Sequence, residues 1–198
     1  TPGITLFPYT TLFRSNAFSN TASSLIQSKI SGNLVFILLP AIPGPQVAAA
    51  YIGASFVRSA LAGAGLYLLC SWWASPPVRE PGLLIAFGFF GAAIMAALGL
   101  ITALWAEKYD QMGAVMNFVI MPLTFLSGVF YSVDSLPPFW QAASRLNPFY
   151  YLVDGFRQGF FGSGDTNTTL SLLIVAATAL AVTAAAVVLL VKGWKIRT

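Results

Sequence analysis

Residues 83–105 read LLIAFGFFGAAIMAALGLITALW and carry no charge. At about 1.5 Å per helical residue, such a run exceeds the ~30 Å hydrocarbon core of a bilayer. Gly88, Gly91 and Gly99 within it let neighbouring backbones approach closely. Working outward, residues 170–191 form a second uncharged run of Ala, Val and Leu, followed by the basic, Trp-containing flank KGWKIR. On the other side lies a long apolar stretch from Gln46 to about Trp73, interrupted by Arg58. Either only the part after Arg58 crosses the bilayer, or Arg58 faces a polar interior. A further apolar run, residues 112–132, contains Pro122, so a kink or break is expected there.

Composition agrees with these runs. Of the 198 residues 57% are hydrophobic and 8% charged, against roughly 25% charged in an ordinary soluble domain. So few charges cannot coat a globule of this size. The fold class is therefore all-α integral membrane, with four transmembrane helices over 46–74, 82–105, 112–132 and 168–192. The absence of histidine excludes a Ser-His-Asp triad, a His metal site and a His proton shuttle. The single cysteine, Cys70, lies in an apolar run and reads as a small hydrophobe. The net charge of +4 reflects basic residues flanking the spans rather than a nucleic-acid surface. No Gly-rich Lys-Ser/Thr phosphate loop occurs.

The connecting segments carry their own signals. In residues 16–45, Ala22, Leu25, Ile26 and Ile30 recur near helical spacing, predicting a short helix that ends around Ser31-Gly32. Pro40, Pro43 and Pro45 then form a rigid turn. Residues 135–162 predict two short amphipathic helices. Ser135 or Asp134 caps the first, Asn147-Pro148 starts the second, and Gly162 stops it. Asp154 and Arg157 are spaced for an i,i+3 pair, and Gly155 and Gly159 form a GxxxG read as ordinary packing. The sequon Asn167-Thr168-Thr169 is short and of little weight.

Four spans put both termini on one side, and Lys192, Lys195 and Arg197 mark that side as cytoplasmic. Lys29 and Lys108 then lie inside. Arg79, Arg145 and Arg157 lie outside with Glu80, Asp134, Asp154 and Asp165, which places the two amphipathic helices on the outer face.

Residues 5–15, TLFPYTTLFRS, resemble the translation of a sequencing-library adapter. On that reading residues 1–15 are artefactual and the chain from Asn16 is an N-terminally truncated fragment. The other reading is a short strand or interfacial segment.

The segment PLTFLSGVFYSVDSLPPFWQAASRLNPFYYLVDGFRQGFFG, residues 122–162, resembles the signature of ABC-2 type transporter permeases, membrane subunits of bacterial ABC exporters. The similarity lies at Pro122, Leu123, Leu126, Gly128, Phe130, Tyr131, Leu136, Pro137, Trp140, Asn147, Pro148, Tyr151, Gly155, Arg157 and Gly162. NTASSLIQSKISGN followed by LLPAIP more loosely resembles the family's cytoplasmic turn. The resemblance implies a plasma-membrane exporter of about six spans per subunit, assembled as a homo- or heterodimer. The present spans would be numbers three to six. It implies a separate ABC ATPase subunit that binds ATP and Mg, with no cofactor in this chain. It also implies a coupling helix that docks on that ATPase, here involving Gln27, Lys29, Gly32, Asn33, Leu34, Leu38, Leu39 and Pro40. Val35-Phe36 stands where many relatives carry acidic residues, which makes this contact more apolar. The outer-face motif, with Asp154 added, either seals the dimer from water or touches substrate. Arg58 would face the translocation path or its cytoplasmic entrance. A non-transporting scaffold subunit and an ion-coupled carrier are the competing readings. The near absence of ionisable residues in the spans argues against the carrier.

Overall fold

A computed structural model describes residues 2–33, 43–72, 77–129 and 133–192, with the side chains of residues 2–13, 44, 70 and 134 left out. Leu34, Val35, Phe36, Leu38, Leu39, Pro40, Trp73, Phe130, Tyr131, Lys195 and Arg197 lie outside the described residues, as does the Cys70 side chain.

The described residues form helices α1 (Pro2–Ile30), α2 (Gly44–Ser71), α3 (Pro81–Trp105), α4 (Tyr109–Val115), α5 (Met121–Phe125), α6 (Pro138–Leu146), α7 (Pro148–Phe161) and α8 (Thr168–Val191). Three of them are long and apolar enough to cross a bilayer: α2 over Pro45–Leu69, α3 over Pro81–Trp105 and α8 over Thr168–Val191. The predicted span over 112–132 is different. It is a shorter helical path, α4 then α5, joined by a π-helical turn over Met116–Ile120. The cause is Pro122 at the start of α5, which lacks an N–H and would press its ring on the carbonyl four residues back. The π turn upstream shifts that carbonyl, so the Met121 N–H bonds to Met116 O instead.

Helix α1 is also longer than the short helix expected after Asn16. It runs without interruption from Pro2 to Ile30, so residues 5–15 share one helix with residues 16–30. Its end is as the sequence indicates: Gly32 adopts φ 72°, a left-handed conformation that suits glycine.

Helix α3 is the centre of the bundle and packs against α1, α2, α7 and α8. Phe87, Ala92, Ala96, Ala97, Ala103 and Leu104 along it are fully buried. Small residues set the spacing. A Cβ on Gly99 would lie 2.7 Å from the Phe18 carbonyl oxygen and 3.2 Å from Thr21 Cβ, so the backbones of α1 and α3 are in direct contact. The buried hydroxyls of Thr21 and Ser55 bond to each other, and Ser55 Oγ also donates to Ala17 O at 3.4 Å, joining α1 to α2.

Because the atom against Gly99 is backbone, it cannot swing aside. Gly99→Ala is expected to destabilise the protein by about 1–2 kcal/mol, a clash larger than the helix-propensity gain can offset. Thermal unfolding of the detergent-solubilised protein checks this, and an unchanged Tm would contradict the contact.

Candidate functional site

The motif expected on the outer face is built where α5, α6, α7 and the loop before α8 meet. Asn147 sits between α6 and α7, 3% exposed. Its Oδ1 accepts from the Phe149 N–H at 3.0 Å, which caps α7 as the Asn-Pro pair predicts. Its Nδ2 donates to Leu123 O at 2.6 Å, a carbonyl in the last turn of α5. One side chain thus ends one helix and starts another. The Tyr151 hydroxyl donates to Arg145 O at 2.9 Å in the last turn of α6. Helix α6 begins later than the sequence indicates, because Val133–Ser135 forms a separate 3-10 turn and Pro137 stands at the N-cap.

The expected pairing of Asp154 with Arg157 is mostly replaced by contacts to the loop over residues 162–167. The two side chains approach only to 4.0 Å. Arg157 Nη1 donates to Asp165 Oδ2 at 2.7 Å, and its Nη2 donates to Gly128 O at 3.1 Å. Asp154 is 1% exposed. It accepts from the Asp165 N–H at 2.7 Å, the Thr166 N–H at 3.2 Å, Gln158 Nε2 at 2.9 Å and the Thr166 hydroxyl. A buried carboxylate is tolerable only with such a set of donors. Thr166 in turn bonds to Ser171 Oγ at 2.6 Å in the first turn of α8. Asp154 therefore fixes the entry into α8, and Arg157 fixes the turn at Gly128, which adopts φ 71°.

Helix α7 is buried over most of its surface. Gly155 and Gly159 face α3: an added Cβ would lie 2.4 Å from the Phe87 ring or 2.5 Å from Leu84 Cδ2. Gly162 ends α7 with φ 71°, its N–H bonded to Gln158 O at 2.7 Å. The Arg79 and Glu80 N–H groups both donate to Gly159 O, at 3.2 and 3.0 Å. Leu123, Leu126, Leu136 and Trp140 line an open apolar groove of about 680 Å³, and the exposed Phe139 stacks edge-on against Trp140.

At the other end of α3 lie the described residues of the expected coupling segment. Lys29 Nζ donates to Ala103 O at 2.6 Å, Leu104 O at 2.8 Å and Ala106 O at 3.3 Å. The Tyr109 hydroxyl donates to Gln27 Oε1. Gly32 and Asn33 are exposed. Arg58 is exposed on α2, so no other described helix of this chain covers it.

Sequence reasoning missed Gln158, Asp165, Thr166 and Ser171 as parts of the outer lock. The signal was partly there: Asn167 of the sequon caps α8, its Oδ1 accepting from the Thr169 N–H at 2.9 Å. Among the described residues no group of three or more His, Cys, Asp or Glu could hold a metal.

The chain belongs to the ABC-2 type transporter family, whose pattern matches residues 7–161. It is 36% identical to the inner membrane transport permease YadH of Escherichia coli K12 over 163 residues, 81% of this chain and 63% of that protein. It is 32% identical over 115 residues to Nodulation protein J of Rhizobium leguminosarum bv. trifolii, covering 53% of this chain and 40% of that one. Over 105 residues it is 31% identical to the capsule polysaccharide export inner-membrane protein BexB of Haemophilus influenzae, covering 52% and 37%. The chain thus spans 63% of the length of the E. coli relative it matches.

Proposed function

We propose that this chain is a membrane-spanning permease subunit of an ATP-driven exporter in a bacterial inner membrane. A separate ABC ATPase subunit binds ATP and Mg and hydrolyses the nucleotide. A second permease subunit completes the path, which opens by rigid-body movement of the spans. The C-terminus is cytoplasmic, so the Asn147–Asp154–Arg157 lock lies outside and the end of α3 near Lys29 lies inside.

The observation that carries this reading is family membership across residues 7–161, which takes in the motif from Pro122 to Phe161. The sequence holds no phosphate-binding loop, in keeping with hydrolysis on a partner. Export as the direction follows BexB, whose name states it for that protein.

The coupling segment is the part to test. Leu34, Leu38 and Leu39 replaced together by Asp should abolish co-purification with the cognate ATPase subunit and its stimulated ATP hydrolysis. Unchanged binding and stimulation would sink the coupling assignment. A chain that binds no ATPase, in cells where it is stably inserted, would favour the scaffold reading.

A further inference from the structure

The last four residues of any α-helix leave carbonyls without intrahelical partners. In α3 the Thr102 carbonyl is taken by the Ala106 N–H at 2.7 Å, and the carbonyls beyond it need other donors. Lys29 supplies two of them and the next carbonyl after the helix: its ammonium reaches Ala103 O, Leu104 O and Ala106 O at 2.6, 2.8 and 3.3 Å. A cation at this end also opposes the partial negative charge of the helix C-terminus. Gln27, on the same end of α1, bonds to Tyr109, the first residue of α4. The end of α1 therefore holds the turn between α3 and α4 from both sides.

Position along the chain gives this clamp its meaning. Lys29 lies in the first part of the expected coupling segment, just before Gly32 and the Leu-rich stretch that follows it in the sequence. Downstream, that segment continues into α2, whose membrane-spanning window is 11% buried, against 61% for α3. A push delivered through α2 alone would move a helix on the edge of the bundle. A push delivered through Lys29 moves the helix that packs against α1, α2, α7 and α8.

We propose that Lys29 is a positioning residue that transmits movement of the coupling segment to α3, rather than a residue that touches the ATPase. This inference rests on the function proposed above. Movement at the inner end of α3 then reaches the outer lock through Phe87 against Gly155 and Leu84 against Gly159.

The test uses Lys29→Met, which keeps the aliphatic stem, and Lys29→Arg, which keeps a cationic donor. Each variant is reconstituted in proteoliposomes with the cognate ATPase subunit, and ATP hydrolysis is titrated against ATPase concentration. For Lys29→Met the half-saturating ATPase concentration should stay within about twofold, while maximal stimulation falls about tenfold, a usual size for coupled sites. Lys29→Arg should recover most of it. A Met variant with full maximal stimulation overturns the relay. So does one with raised half-saturation and an intact maximum, which would put Lys29 on the ATPase surface.

A second measurement guards against simple misfolding. In a Cys70→Ala background, Gln27→Cys with Tyr109→Cys should cross-link readily through a short bismaleimide, and more slowly once Lys29→Met is added. Absence of the cross-link in the Lys29 parent overturns the clamp. Loss of coupling with wild-type ATPase binding separates this failure from failure of the exporter reading, in which the parent chain itself neither binds nor stimulates the ATPase.

Discussion

Asp154→Ala is expected to lower the Tm of the detergent-solubilised protein by about 10 °C. Its carboxylate takes the N–H groups of Asp165 and Thr166, the Thr166 hydroxyl and the Gln158 amide. Truncation leaves four donors without their acceptor in a place where the removed side chain was 1% exposed. A buried donor left unsatisfied costs about 1–3 kcal/mol, and the loop donors recover part of that by turning to water. A total of about 3–5 kcal/mol, at about 2–4 °C per kcal/mol for a chain of this length, gives the expected shift. Asp154→Asn should cost roughly half as much, because one oxygen still accepts while the new NH₂ opposes a donor. Arg157→Ala should cost less than either. Its guanidinium is partly exposed, and its bond to Asp165 is one of the weaker surface kind. A Tm drop below about 3 °C for Asp154→Ala, read by circular dichroism, would show that the lock does not hold the α7–α8 connection.

Gly155→Ala should destabilise the protein by about 3 kcal/mol although alanine is the better helix former. The added methyl would sit 2.4–2.5 Å from three atoms of the Phe87 ring, and Phe87 is 0% exposed. A rigid buried ring cannot swing away, so α7 must lift off α3. Gly159→Ala makes a similar clash against Leu84 Cδ2 and Cγ at 2.5 and 2.7 Å, but a leucine end can change rotamer. Its cost should be about 1 kcal/mol. The double variant Gly155→Ala/Phe87→Leu separates contact from propensity. Recovery of at least about 1 kcal/mol relative to the sum of the single variants is expected for residues in contact. Strict additivity would mean that the glycine is needed for some reason other than the ring.

The legible parts of the fold were those that local physics decides alone. Long apolar runs pointed to α2, α3 and α8, the three described helices long and apolar enough to cross a bilayer, since length and hydropathy suffice to mark such a helix. Asn147-Pro148 and Gly162 marked both ends of α7, because a cap and a left-handed stop act within one turn. Pro122 announced a break, but whether it would bend, stop or open a π turn depended on the helices around it. The outer site was half legible. Leu123, Gly128, Asn147 and Arg157 all belong to a motif visible in the sequence, whereas Asp165, the partner of Arg157, lies beyond it, and none of the pairings could be read from the order of residues. Lys29 was visible as the basic residue of the expected coupling segment; its bonds to carbonyls 74, 75 and 77 residues away were not.

The sequence by itself determined that this protein lives in a bilayer and where the chain turns. Those properties come from hydropathy summed over a segment and from the backbone limits of Pro, Gly and Asn. Tertiary structure alone decided which charges are partners: Asp154 with the loop before α8, Arg157 with Asp165 and Gly128, Lys29 with the end of α3. The reason is that a charge in an apolar protein goes to the nearest unsatisfied backbone group or counter-charge. Which group is nearest depends on how the helices are stacked, not on their order along the chain.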